Sequence, residues 1–330
     1  MNSVYRQILK KAWQITKKFR YLWPLGIFAA FLGNGGEYQV LFKQLQTVAE
    51  QQTTLSIWQD NLKAILPPLN LSAGNLIPVI LNLIFALLVL GLFLWLVIAA
   101  FGGIIKGAAE ANQDQTNKTN VLLKIGSRKF WPLLGLNVIA KVIVYGFLIL
   151  ILAPLLVATF AQGQGLINAL ITMLIFLIFI PLTIMVSLVT KFAAAEVMLN
   201  NQKFWDAFKI GWRIFAANWL VSLEMALVIF IINILVSLAL IIVSLLVLSP
   251  FFFFGIWYTI SSPYLFNTLM YIALGSILAV SLLVGAALAT FQISSWTLLY
   301  LRLTGGEKTY SKIVRLVAGW PDKFKKQPKA

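Results

Sequence analysis

The chain has 330 residues, 26 Lys and Arg against 10 Asp and Glu, a formal charge of +16, and neither cysteine nor histidine. Those two absences exclude disulfides, thiol nucleophiles, imidazole bases and the usual zinc sites. An apolar share of 60% gathered in long runs excludes a soluble domain, which would have to bury about 150 apolar residues in uninterrupted stretches.

Six apolar tracts run over approximately 21–36, 76–103, 131–158, 168–190, 214–248 and 266–300. A bilayer core of roughly 30 Å takes a helix of about 20 residues, so the sequence predicts six spans, two of them long enough to tilt, kink or project beyond the lipid. The expected class is all-α, a polytopic membrane helix bundle: a single integral membrane domain over 1–320 and a basic cytoplasmic tail over 321–330.

Segment 1–20 reads as a basic amphipathic helix. Val4, Ile8, Ala12, Ile15 and Phe19 recur at steps of three or four, away from Arg6, Lys10, Lys17 and Lys18, which suits a helix at the cytoplasmic interface that leads into the first span. A separate lipid-sensing role is the other reading. The first tract is short and ends at Gly33, Asn34, Gly35 and Gly36; without a small-residue cleavage site it reads as a retained anchor rather than a signal peptide. Residues 37–70 then place Leu41, Leu45, Val48, Leu55, Trp58 and Leu62 on a helical stripe that Pro67 and Pro68 stop. This is the large outward-facing segment. Of the other outer connections, 159–167 is a polar turn, and 249–265, with Phe251 to Phe254, Trp257, Tyr258 and Tyr264, fits an interfacial or re-entrant segment at headgroup depth.

Orientation follows from charge. Segments 1–20, 104–130, 191–213 and 301–330 hold 6, 5, 4 and 8 basic residues, 23 of the 26, whereas the intervening loops hold only Lys43 and Lys63. Lys and Arg concentrate in cytoplasmic loops, so both termini are expected in the cytoplasm, with a bacterial inner membrane as the expected location. The charge is thus a topology signal, and nucleic acid is not an expected partner.

An internal repeat is the most specific pattern. Ile15 to Gly26, containing Arg20 and Trp23-Pro24, resembles Leu123 to Leu134, containing Arg128 and Trp131-Pro132; Phe208 to Phe215, containing Arg213, is a third copy. Glu110 and Glu196 precede the second and third copies at similar spacing. Three parallel two-helix repeats follow, near 1–110, 111–197 and 198–300, unlike the inverted repeats of many transporters. Arg20, Arg128 and Arg213 then stand at three equivalent span entrances. They read as snorkelling anchors to headgroup phosphates, or as a ring that holds an anionic lipid head or peptide terminus.

Lys141 and Glu224 are ionisable residues inside apolar tracts, each roughly 15 Å from the start of its span at 1.5 Å per residue. Equal depth suggests a Lys–Glu pair, either a structural tie or a coupling site for transport, because a lone charge in hydrocarbon is costly. Two small-residue stripes, Ala99, Gly103 and Gly107 and then Ser281, Gly285 and Ala289, are expected to admit close helix contacts. Asn82, Asn137, Asn218, Asn233 and Asn267 are expected to hydrogen-bond across helices. Pro154, Pro181 and Pro250 mark kinks or stops.

No acidic pair within one span, no phosphate loop and no carboxylate-rich metal motif occurs, so catalytic, cofactor and metal sites are all expected to be absent. Glu110 and Asp114 read as parts of a solvated loop. Through Lys209-Ile210-Gly211-Trp212-Arg213 and Phe130-Trp131-Pro132, and over most of 5–318, the chain resembles bacterial six-helix membrane families of unassigned function. These include the membrane domain attached to some glycerophosphodiester phosphodiesterases. The catalytic domain of those enzymes is missing here, so the resemblance implies an accessory, scaffold or lipid-associated role. The resulting expectation is a noncatalytic membrane scaffold or accessory subunit with anionic phospholipids and a membrane protein as partners. Transport or lipid handling through Lys141 and Glu224 is the alternative.

Overall fold

A computed structural model describes residues 4–32, 76–160, 166–261 and 263–305. Segment 37–70, expected to face outward, the centre of the 159–167 turn and the basic tail lie outside the described residues. Every regular element among those described is helical. In chain order they are α1 (Val4–Lys18), a 3-10 turn (Arg20–Leu22), α2 (Trp23–Ala29), a second 3-10 turn (Ala30–Leu32), α3 (Leu76–Asn112) and α4 (Thr119–Arg128). Then come α5 (Phe130–Phe160), α6 (Leu166–Leu199), α7 (Phe204–Ala217), α8 (Trp219–Ser261) and α9 (Pro263–Thr304).

Five of these helices, α3, α5, α6, α8 and α9, contain stretches long and apolar enough to cross a membrane. Their large side chains face outward: Leu88, Leu92, Leu150, Leu177, Phe230 and Leu246 are all exposed. Water penalises apolar surface of that extent, whereas lipid accepts it and requires the backbone to satisfy itself within each helix. The chain is therefore a helical membrane protein. Of the first tract, 21–36, the apolar helical stretch covers Arg20–Leu32, about 20 Å by helical rise, and 33–36 lie outside the described residues.

For the 249–265 segment, of the two readings the interfacial one remains. The segment is not a separate re-entrant connection, because α8 continues through Pro250 to Ser261 and α9 begins at Pro263. Likewise α6 continues through Pro181. These prolines are not stops, since a helix that retains its remaining hydrogen bonds and apolar environment tolerates the one lost donor.

Each short basic helix meets the next helix at a break. Phe19 (φ −106°, ψ 62°), Lys129 (φ −106°, ψ 20°) and Asn218 (φ −131°, ψ 31°) leave helical geometry and so end α1, α4 and α7. Pro24 falls in the first turn of α2, where the missing N–H has no intrahelical partner to lose. The breaks do not keep step with the arginines. Arg20 follows its break, Arg128 closes α4, and Arg213 lies inside α7.

Among the described residues, those within 1–31, 98–138 and 188–305 form one compact unit, and those within 76–97 and 139–187 belong to another. The second unit centres on Val144, Leu148, Phe179 and Val186, with Ala140, Ile143 and Tyr145 packed around them. The first unit is built on close backbone approach. A Cβ added at Gly126 in α4 would overlap the Ala99 carbonyl of α3, and one at Gly26 in α2 would overlap the Ala286 carbonyl of α9. At Gly211 in α7 it would stand 2.8 Å from the Ala193 amide nitrogen of α6. The Ala99, Gly103 and Gly107 stripe packs as expected, against Gly126, Leu122, Leu22 and Leu25. The Ser281, Gly285 and Ala289 stripe does not: Gly285 faces open space, and the tight contact falls on the neighbouring Ala286 and Thr290 face.

Candidate functional site

The first helix is a structural member of the first unit rather than a free surface helix. Its Tyr5, Ile8, Ala12, Ile15 and Phe19 are buried, and polar ties flank that stripe. Lys11 Nζ donates to the Asn112 carbonyl at 3.2 Å, and Lys18 Nζ meets Asp114 Oδ1 at 3.0 Å. From α9, Arg302 Nη1 donates to Gln7 Oε1 at 3.1 Å, and the Trp13 ring packs edge-on to Phe291 with centroids 6.2 Å apart. From α8, Glu224 accepts a hydrogen bond from the Tyr5 hydroxyl. One 15-residue helix thus joins the ends of α3, α8 and α9.

Glu224 and Lys141 each have an aromatic neighbour. Lys141 Nζ lies 5.9 Å from the centroid of the Tyr145 ring, one turn further along α5, and Glu224 is held by Tyr5. They belong to different compact units. Their equal depth does not hold when measured from helix starts. The break at Asn218 assigns 214–217 to α7, so Glu224 lies only about 8 Å along α8 and Lys141 about 16 Å along α5.

Two turns at the basic end share a design. α3 and α6 end at residues with left-handed backbone nearby, Asp114 (φ 57°) and Asn201 (φ 56°), types that tolerate that region better than most. The Glu110 carbonyl accepts the amides of Gln113 and Gln115, and the Glu196 carbonyl those of Asn200 and Gln202. Each carboxylate also accepts a side-chain amide at 2.8 Å, from Asn117 and from Asn200. Glu110 faces Lys106 at 3.9 Å while Asp114 turns to Lys18, so the two acids of the i,i+4 pair serve separate contacts. Asn200 additionally donates to the Tyr300 hydroxyl at 2.9 Å, and Lys191 Nζ stands 4.7 Å over the Trp296 ring.

Arg20, Arg128 and Arg213 are all exposed and all belong to the first unit. Each projects from a helix whose opposite face is buried, at Leu22, at Leu122 and Gly126, and at Ala207 and Gly211. Of the five asparagines, Asn233 makes the expected interhelical bond, accepting from Gln292 of α9. Asn137 and Asn218 instead donate to carbonyls one turn back, Leu133 and Ile214. Sequence reasoning missed Tyr5, Tyr300 and Gln292. Tyr5 had a signal, its place beside Ile8 and Ala12 on the apolar stripe.

A family model described as Domain of unknown function (DUF7847) matches residues 62–303. The chain belongs to this family. The matched stretch contains α3 to α8 and all of α9 but its last residue, and leaves α1 and α2 outside it. Searches of curated proteins and of solved structures return no match.

Proposed function

We propose that this DUF7847 protein is a noncatalytic integral membrane scaffold or accessory subunit. It has six spans in three parallel repeats and both termini in the cytoplasm of a bacterial inner membrane. The asymmetry of 23 basic residues in alternate segments supports the orientation. The order of short basic helix, break and longer helix at α4–α5 and again at α7–α8, with a basic helix and a break also preceding α2, supports the repeats. The resemblance to membrane domains attached to glycerophosphodiester phosphodiesterases belongs to the same proposal.

The observation that carries the scaffold reading is the set of exposed Arg20, Arg128 and Arg213 on one unit closed by glycine contacts. Guanidinium groups held on a packed base offer paired donors to lipid phosphates or to a partner's carboxylate, and a base that cannot easily deform suits assembly. Transport through a Lys141 and Glu224 site is the weaker reading, because Tyr5 occupies the Glu224 carboxylate and the two residues differ in depth along their helices.

Gentle purification from native membranes followed by intact mass analysis tests the proposal. A stoichiometric membrane protein that is lost in the Arg20→Gln, Arg128→Gln, Arg213→Gln variant is the expected result. A lone protomer whose substrate movement in vesicles stops with Glu224→Gln would overturn it.

A further inference from the structure

A groove of about 600 Å³ opens between α1, α8 and α9, within the roughly 300–1,000 Å³ range of small-molecule sites. Its walls divide by chemistry. Leu9 and Trp13 of α1 face Val228 of α8 and Phe291 of α9, while Arg6 and Lys10 line it from the exposed side of α1. Arg6 and Lys10 are one helical turn apart and therefore neighbours on that face. Tyr5 also lines the groove, its hydroxyl being engaged by Glu224. No acidic side chain is among the lining residues.

We propose that this groove binds one anionic phospholipid, with an acyl chain against Leu9, Trp13, Val228 and Phe291 and the phosphate between Arg6 and Lys10. Charge complementarity selects the occupant: two adjacent cations above an apolar floor match a phosphodiester attached to a hydrocarbon chain. Depth agrees, since Val228 lies about 14 Å along α8, inside the apolar stretch, and the largely exposed Trp13 is the residue type that favours headgroup level. The site is separate from the Arg20, Arg128 and Arg213 set. It rests on the membrane reading but not on a protein partner. It also gives α1 a task beyond packing, because α1 supplies both cations from outside the family-matched stretch.

The test is native mass spectrometry of the full chain in detergent, titrated with phosphatidylglycerol or with phosphatidylcholine of the same chains. One phosphatidylglycerol should bind at least tenfold more tightly than phosphatidylcholine. The Arg6→Gln, Lys10→Gln variant should lose that preference, while Lys124→Gln, Lys209→Gln, which removes two exposed cations elsewhere, should keep it. Val228→Trp fills the floor from α8 and should weaken both lipids tenfold even where the α1 variant folds poorly. Equal binding of the two lipids by the unaltered chain, equal losses in the two charge variants, or full binding by Val228→Trp would each overturn the proposal. A missing protein partner would count against the scaffold reading alone.

Discussion

Tyr5 in the first helix donates a hydrogen bond to Glu224 in α8, across 219 positions of sequence. The pair explains how a carboxylate in an apolar helix is kept: it is satisfied by a phenol carried on a helix that also closes the α8 and α9 ends. Removing the donor leaves a half-buried acceptor without that bond, which costs about 1–3 kcal/mol. Tyr5→Phe should therefore lower the thermal midpoint in detergent, and Glu224→Gln should lower it less in a Tyr5→Phe background than alone. Strict additivity of the two substitutions would show that they do not interact.

The glycine contacts set a sharper contrast. Gly126→Ala forces a Cβ into the Ala99 carbonyl of α3, where backbone rather than a flexible side chain must move, and overpacking of this kind costs about 1–3 kcal/mol or more. Gly285→Ala meets nothing within 4 Å and should instead raise stability by roughly 0.5–1 kcal/mol through helix propensity. Thermal unfolding of the two variants side by side checks both signs; equal effects would remove the argument for close α3 and α4 packing.

At the turn after α6, Asn201 has φ 56°. Asn201→Gly should be neutral or slightly stabilising, and Asn201→Val should cost about 1–2 kcal/mol, since a β-branched residue is strained in the left-handed region. Urea-free thermal melts in the same detergent are sufficient to rank the three.

The exposed ion pair of Lys18 and Asp114, with side chains 65% and 81% exposed, should contribute little. Asp114→Asn is expected to change stability by less than about 0.5 kcal/mol, and that small change should shrink further as salt is added. A large loss would mean that this pair, rather than the buried stripe of α1, fastens the first helix.

Much of the architecture was legible because it follows from patterns that act locally. Runs of apolar residues gave the long helices. The Trp-Pro steps at Trp23 and Trp131 gave helix starts, and the four-residue spacing of Ala99, Gly103 and Gly107 gave a contact face that the structure uses. Other features depend on where a helix is interrupted. The break at Asn218 lies inside an unbroken apolar run, so α8 starts five residues after the tract does and Glu224 lies nearer a helix start than the tract suggested. Spacing alone also could not choose between the Gly285 and Ala286 faces of α9, because that choice is made by Gly26 on a helix some 260 positions away. The partner of Glu224 was hidden for the same reason: Tyr5 advertises only an apolar stripe, and its hydroxyl gains meaning once α1 lies against α8.

The orientation of the membrane protein is the claim on which the other readings depend, and the absence of native cysteine makes it directly measurable. Single cysteines at Gln115→Cys, Asp206→Cys and Gln164→Cys would be labelled with an impermeant maleimide in right-side-out vesicles, before and after permeabilisation. The account expects the first two, on the basic side, to react only after permeabilisation and Gln164→Cys to react at once. Immediate labelling at positions 115 and 206 with protection at 164 would contradict it.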